Sequence, residues 1–134
     1  MRLLIVEDEP FIALDLEMLL EQTGHQAVGV ADTFESAVAL ADRTSPEAAL
    51  IDVNLRDGFT GVRIAETLAR RGRAVAFVTG NAEQVPPDFA GAVAVLEKPF
   101  TAAGVDEVLQ ILAEALGQGR AAEPRYARRA PVAR

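Results

Sequence analysis

Polar side chains suited to phosphate chemistry follow four short apolar runs of this sequence, each at the point where the run ends. They are the carboxylates of Glu7, Asp8 and Glu9, the carboxylate of Asp52, the hydroxyl of Thr79 and the amine of Lys98. If the four runs are parallel strands, their carboxyl ends meet at one edge of a sheet, where ligands of open α/β sheets bind. The sequence therefore predicts one site that combines several carboxylates with a hydroxyl and a lysine.

A group of carboxylates is costly unless a cation neutralises it, and a hard divalent cation with oxygen ligands is the usual partner. Mg²⁺ fits best, because it takes one or two carboxylates, retains several waters and accepts phosphate oxygens. A carboxylate beside such an ion and a lysine can attack a phosphoryl group, which makes Asp52 the candidate for an aspartyl-phosphate. Lys98 would stabilise charge on the transferring group, and the Thr79 hydroxyl would donate a hydrogen bond to a phosphoryl oxygen.

Strands and helices alternate along the chain, which is typical of a parallel sheet with helices on both faces. Short apolar runs predict five strands, at residues 3–6, 26–31, 48–51, 74–78 and 92–96. Apolar residues at helical spacing predict helices over 11–22, from about 34 to 43, over 62–71 and over 105–116. Asp32 and Glu35 have the spacing of a capping box for the second of these helices. Pro86-Pro87 interrupts the segment 82–91, so a helix there is expected to be short or irregular.

Charge divides the chain into two parts. Residues 1–117 carry 8 basic and 19 acidic side chains, whereas residues 118–134 carry 5 and 1 and are rich in Gly, Pro, Ala and Arg. We expect one domain over 1–117 and a basic, disordered tail over 118–134. The acidic domain is a poor non-specific ligand for nucleic acid. The tail could still contact nucleic acid or an acidic partner, including the acidic surface of this domain.

Cysteine usage and hydropathy narrow the class of protein further. The chain has no cysteine, which excludes disulfides, thiolate metal sites and cysteine nucleophiles. No window approaches the run of about 18 apolar residues that suggests a membrane helix, and the N-terminus meets carboxylates too soon for a secretory signal. We therefore expect a cytoplasmic protein that does not enter a membrane.

Four motifs together resemble the receiver domain of two-component response regulators, over roughly residues 1–117. They are Val6-Glu7-Asp8, Asp52 after an apolar strand, Thr79-Gly80, and Lys98-Pro99-Phe100. The resemblance implies an α/β flavodoxin-like fold, a doubly wound five-stranded parallel sheet of order 2-1-3-4-5. It also implies that Asp52 accepts the phosphoryl group, with Thr79 as the switch hydroxyl and Lys98 as the conserved-type lysine. The Mg²⁺ ligands implied are Asp8, Asp52, the Asn54 backbone carbonyl and, through a water, Glu7.

The sequence departs from the usual receiver pattern at the positions that carry the signal away from the aspartate. Three residues before the lysine, where the family often has Tyr or Phe, the chain has Val95, so the usual aromatic relay cannot operate. Pro86-Pro87 disturbs the fourth helix, through which many receivers signal. Leu55 is followed by Arg56 rather than by the Pro that the family often has shortly afterwards. The segment 99–105 resembles the Pro-Phe-x-Ala-Thr-Gly motif of a receiver subclass that lacks the aromatic.

The function that this resemblance implies is a single-domain response regulator with Mg²⁺ as its cofactor. It would take a phosphoryl group from a sensor histidine kinase or phosphotransfer protein onto Asp52 and signal through an unknown downstream protein or act as a phosphate sink. It would have no nucleic-acid output domain, and its only catalysis would be its own phosphorylation and dephosphorylation. One alternative is a receiver-fold adaptor that works without phosphorylation. Another is a small metal-dependent phosphatase, although Asp52-Val53-Asn54 lacks the second Asp of an Asp-x-Asp pair.

Overall fold

A computed structural model describes residues 1–117 and 125–127 of the chain. Its strands are β1 (Arg2–Val6), β2 (Gln26–Ala31), β3 (Ala48–Ile51), β4 (Ala74–Thr79), β5 (Ala94–Glu97) and β6 (Arg125–Tyr126). Its α-helices are α1 (Pro10–Gln22), α2 (Phe34–Thr44), α3 (Gly61–Arg70) and α4 (Ala102–Gly117). Two short 3-10 turns, Ala82–Gln84 and Phe89–Gly91, lie between β4 and β5.

The strands form one parallel sheet in the order β2-β1-β3-β4-β5-β6. The predicted fold class and the order 2-1-3-4-5 are confirmed. The sixth strand, beside β5, was not predicted. It lies within the segment expected to be disordered, so that expectation is wrong for Arg125–Tyr126. Apart from these two residues and Ala127, the expected tail lies outside the described residues.

Side chains of the central strands point alternately to two cores, because successive residues of a strand face opposite sides of the sheet. In β1, Leu3 and Ile5 face a core that α1 and α4 cover. Leu4 and Val6 face a second core, which α2, α3 and the 3-10 turns cover. Burial on both faces explains why β1, β3 and β4 are continuous apolar runs, the pattern from which their strands were predicted.

The sequence predicted that a helix over residues 82–91 would be short or irregular, and this prediction is confirmed. Between β4 and β5 the described chain makes only the two 3-10 turns, on either side of Pro86-Pro87. Phe89 and Ala90 adopt φ of +57° and +50°, outside the helical region. The cap of α2 differs from the prediction by one residue. Thr33 takes the capping role predicted for Asp32, and Ser36 takes the role predicted for Glu35. The Thr33 side chain accepts a hydrogen bond from Ser36 N, and the Ser36 hydroxyl accepts one from Thr33 N.

Among the described residues, no helix combines the length and the apolar character needed to cross a lipid bilayer.

Candidate functional site

The sheet brings together the ends of the four strands that precede the predicted site residues. Backbone hydrogen bonds continue the ladders past the strand ends: Asp52 N donates to Val6 O at 2.9 Å, and Lys98 N donates to Thr79 O at 2.9 Å. The last residues of the neighbouring strands are in register, Val6 with Ile51 and Thr79 with Glu97. The side chains that follow these strands therefore lie at one edge of the sheet, as the sequence predicted.

Three carboxylates form the acidic part of the site. Glu7, Asp8 and Asp52 each offer an oxygen that lies within 4.8 Å of the others. Glu7 and Asp52 are buried, and Asp8 is half-buried. Glu9, by contrast, is exposed, although it also borders the site. The predicted acidic pair and Asp52 are thus adjacent, and one cation could contact all three.

Lys98 joins two of these carboxylates. Its Nζ lies 2.6 Å from Glu7 Oε1 and 2.8 Å from Asp52 Oδ2, and only the second contact has hydrogen-bond geometry. The Lys98 side chain is 17% exposed, so the ion pairs are shielded from water on most sides. Asp52 Oδ1 accepts a 3.3 Å hydrogen bond from the Asn54 backbone N–H. The Asp52 carboxylate is therefore held by a contact on each oxygen.

Burial dominates the protonation of Glu7. It raises the pKa of Glu7 to about 7, although the contact with Lys98 and the hydrogen bond from the Glu9 N–H both oppose the rise. Burial acts to lower the pKa of Lys98, but the hydrogen bond and charge of Asp52, together with Glu7, outweigh it and raise that pKa. Lys98 thus stays positively charged at neutral pH, whereas burial favours the protonated form of Glu7.

Asp8, Asp52 and Lys98 border an open cavity of about 280 Å³. Its lining residues are Asp8, Glu9, Asp52, Asn54, Gly80, Asn81 and Lys98. This volume exceeds the roughly 30 Å³ of one water many times over, so a phosphoryl group and a hydrated ion can both fit. The cavity opens on the surface beside Asp52, which is only 7% exposed as a residue but reachable from this side.

Thr79 lies deeper than the sequence indicated. It is fully buried, and its Oγ1 accepts a hydrogen bond from the Asn81 N–H at 3.1 Å. Gly80 and Asn81 rather than Thr79 border the cavity. The hydroxyl proton of Thr79 has no acceptor among the hydrogen bonds of the described residues.

Three contributors to the site were missed by the sequence reasoning. Asn81 borders the cavity, and Gln84 Oε1 accepts a 2.8 Å hydrogen bond from the Asn54 side chain, which fixes the loop after Asp52. Gly61 packs against the backbone behind Asp52, where an added Cβ would lie 1.9 Å from Asp52 O. The only sequence signal for Gly61 was its place in a loop rich in Asp and Gly, which does not distinguish a close approach from a turn.

The carboxylate set fits a hard divalent cation. Glu7 Oε1 is buried without a hydrogen bond from the described residues, and two more carboxylates lie within reach of the same point. All the donors are oxygens, as Mg²⁺ prefers. Lys98 supplies one positive charge against three carboxylates, so the group lacks balancing charge. A cation there would remove this imbalance.

The chain matches the family model of the response regulator receiver domain over residues 3–110. The chain belongs to this family. Phyllosphere-induced regulator PhyR of Methylorubrum extorquens is 36% identical over 115 residues, which are 80% of this chain and 41% of the relative. Transcriptional regulatory protein PdtaR of Mycobacterium tuberculosis is 33% identical over 105 residues, which are 75% of this chain and 50% of the relative. The chain thus spans half or less of the length of these curated relatives.

Solved receiver structures share the fold. The response regulator PhyR from Brucella abortus superposes with a TM-score of 0.78 at 32% identity, covering 87% of this chain and 49% of that protein. SdrG from Sphingomonas melonis gives a TM-score of 0.73 at 41% identity, covering 84% of this chain and 95% of that protein. The identification of the chain as a receiver domain is therefore confirmed.

Proposed function

We propose that this receiver accepts a phosphoryl group on Asp52 from a histidine phosphodonor protein and signals by protein binding or drains phosphate from its donor. The observation that carries the proposal is the contact of Lys98 Nζ with Asp52 Oδ2 at 2.8 Å beside a cavity of phosphate size. A buried carboxylate that faces such a cavity, with a lysine beside it, is arranged to react rather than to pack.

The residues divide the chemistry as follows. An Asp52 oxygen forms a bond to phosphorus while the bond between phosphorus and the donor imidazole nitrogen breaks, and the electron pair leaves with the imidazole. The Lys98 amine stabilises the negative charge that spreads over the phosphoryl oxygens. The Thr79 hydroxyl, whose oxygen already accepts a hydrogen bond from the Asn81 N–H, would donate a hydrogen bond to a phosphoryl oxygen. No external substrate is turned over, so the chain is not an enzyme in the ordinary sense.

Mg²⁺ is the cofactor proposed for this reaction. Asp8, Asp52 and the Asn54 carbonyl would hold it directly and Glu7 through a water. When bound, it supplies positive charge next to the phosphoryl oxygens. Its other effect falls on Glu7: a neighbouring divalent charge favours the ionised carboxylate and offsets the effect of burial.

Incorporation of phosphate from a small phosphodonor such as acetyl phosphate tests the proposal. Labelling should require Mg²⁺ and should vanish in Asp52→Asn. The matched control is Asp15→Asn, the same change at an exposed carboxylate of α1, which should label like the wild type. Labelling that persists in Asp52→Asn would remove this residue from the reaction.

A second candidate is an adaptor that binds its partner regardless of phosphorylation. Two observations favour it. Val95 is buried where many receivers have a mobile ring, and two 3-10 turns stand between β4 and β5, where many receivers have a helix. The complete set of Asp8, Asp52, Thr79 and Lys98 favours the phosphorylated regulator, because a pure scaffold does not require it. Partner affinity measured with and without beryllofluoride separates the two functions, and equal affinities would favour the adaptor.

The downstream partner is proposed to be a protein. A solved relative from Bartonella quintana, 30% identical over 87% of this chain and 50% of its own length, is described as the anti-anti-sigma factor PhyR. By that analogy, a protein in sigma-factor control is a reasonable first candidate for a binding screen. The proposal includes a cytoplasmic location.

A further inference from the structure

The β5 edge of the sheet is covered by a very short segment of the same chain. β6 contributes only Arg125–Tyr126, which pair in parallel with Ala94 and Val95. The next residue, Ala127, donates its N–H to Val95 O at 3.0 Å. A strand this short adds few hydrogen bonds, so the energy that holds it against the edge is small compared with that of the central strands. Without β6, the backbone groups on that side of β5 would have no strand partner.

Tyr126 of β6 and Ala127, the residue after it, have different surroundings. Ala127 is 6% exposed and belongs to the core under α4. The Tyr126 ring lies edge-on to the Phe89 ring, with 5.4 Å between centroids, and remains 45% exposed. The edge thus accepts an aromatic residue on one face and a small residue on the other, in a parallel direction.

The domain and the segment that supplies β6 carry net charges of opposite sign. Residues 1–117 carry a net charge of −11 and residues 118–134 a net charge of +4. Seven residues separate the end of α4 from β6. A link of that length holds the tethered strand at an effective concentration on the order of millimolar, so a free ligand at micromolar concentration cannot compete well.

We propose that the β5 edge is a docking site for an extended, basic segment of a partner protein, in which an aromatic residue precedes a small one, and that β6 occupies this site in the free protein. The partner segment adds to the sheet as a parallel strand and places its aromatic ring against Phe89. Main-chain hydrogen bonds of such strand addition supply affinity, and the contacts of the two side chains supply specificity. This inference rests on β6 and its contacts and does not require phosphorylation of Asp52.

A labelled synthetic peptide of residues 119–134 is the probe, and the full-length chain is the receptor. Ala127→Pro in the full-length chain removes the N–H that donates to Val95 O and should release the chain's own strand. The peptide should then bind the variant at least 10-fold more tightly than it binds the wild type. The control is Ala133→Pro, the same substitution six residues further along, which should behave like the wild type.

The reverse combination completes the test. A peptide that itself carries Ala127→Pro should lose at least 10-fold in affinity for the Ala127→Pro chain. Equal binding of the two peptides, or equal binding of the wild-type peptide to both chains, would overturn the proposal. So would exchange of the Ala127 amide in the wild type at the rate of an unstructured peptide. A concentration-dependent wild-type dimer that exchanges this strand between copies would assign the edge to a second copy and overturn the proposal of a foreign partner.

Unchanged circular dichroism and unchanged labelling of Asp52 should show that Ala127→Pro leaves the domain folded. Failure of labelling in the wild type would contradict the proposed function while leaving the peptide result intact, so the two proposals fail separately.

Discussion

Gly61 is the position where a single methyl group should do the most damage to the site. It is the first residue of α3, and its N–H donates to Val53 O at 3.2 Å. An added Cβ would lie 1.9 Å from Asp52 O, 2.7 Å from Val53 Cα and 2.8 Å from Asp52 C. All three are backbone atoms of the segment that carries the proposed phosphoryl acceptor, so no side-chain rotation can relieve the contact.

The size of the effect follows from the distances. Relief of the contact with Asp52 O requires the helix start and the Asp52 backbone to separate by about 1 Å, since non-bonded carbon and oxygen rarely approach closer than about 3 Å. Overpacking of a core costs about 1–3 kcal/mol and occasionally more, and rigid backbone on both sides favours the upper end. We expect Gly61→Ala to lower the free energy of unfolding by about 3 kcal/mol, which lowers the Tm by about 10 °C.

The displacement should also slow the chemistry. A shift of about 1 Å in a reacting group can cost about 100-fold in rate, so labelling of Gly61→Ala by acetyl phosphate should fall by one to two orders of magnitude. The rate should be measured well below the Tm of the variant, with circular dichroism confirming that it is folded. Urea unfolding supplies the change in stability independently of the labelling rate.

The matched control is Gly117→Ala at the end of α4, where an added Cβ meets no atom within 4 Å. It should change stability by less than about 1 kcal/mol, in the stabilising direction, because Ala is the better helix former. If Gly61→Ala were as stable as this control, the close approach behind Asp52 would be wrong. A destabilised Gly61→Ala that still labels at the wild-type rate would refute the link between this contact and the position of Asp52.

Two further predictions concern the donor surface and a loop carboxylate. Phe11, Leu14 and Met18 are exposed at helical spacing on α1, directly after the acidic run, as expected of a surface that docks the donor protein. Phe11→Ser should therefore slow transfer from a phosphorylated donor protein at least 10-fold. It should change labelling by acetyl phosphate less than twofold. Equal slowing of both reactions would contradict a docking role. Asp57 accepts hydrogen bonds from the Thr60 hydroxyl and the Phe34 N–H. The Thr60 bond contributes most to the lowered pKa of the Asp57 carboxyl, and burial opposes it. Because the folded-state pKa is depressed, Asp57→Ala should cost up to about 1 kcal/mol above pH 4, and the loss should fade as the pH falls through that pKa; a pH-independent difference in urea unfolding would contradict this.

The site was predictable because the sheet alone positions it. Glu7, Asp52 and Lys98 each follow a buried apolar run, and parallel pairing leaves them no other place than one edge. Local sequence therefore determined both the strands and the meeting point of their ends. What Lys98 contacts there, and the extent to which burial raises the pKa of Glu7, depend on distances that only the folded chain supplies.

Two unpredicted features, the Gln84 contact and β6, depend on contacts distant in sequence. Gln84 contacts Asn54 from a 3-10 turn that has no periodic pattern. β6 has no strand signal of its own, since two residues in a segment rich in Arg, Ala and Gly show no alternation. It is held by Val95, Phe89 and the core under α4. The helix cap is displaced by one residue, from Asp32 to Thr33, for a different reason: both residue types are favourable caps, and the usual preference for Asp over Thr does not hold here.

Val95 connects the site to the β5 edge. It lies on β5, three residues before Lys98, which directly follows this strand. It is in register with Phe77 of β4 and with Tyr126 of β6. The ring that many receivers place at this position is absent, yet an aromatic side chain stands beside it on the neighbouring strand. A rearrangement of Lys98 on phosphorylation would therefore act on the strand that holds β6. Release of β6 would then depend on the state of Asp52 in a phosphorylated regulator but not in an adaptor. The affinity of the wild type for the peptide of residues 119–134, measured with and without beryllofluoride, therefore distinguishes the two functions at the β5 edge.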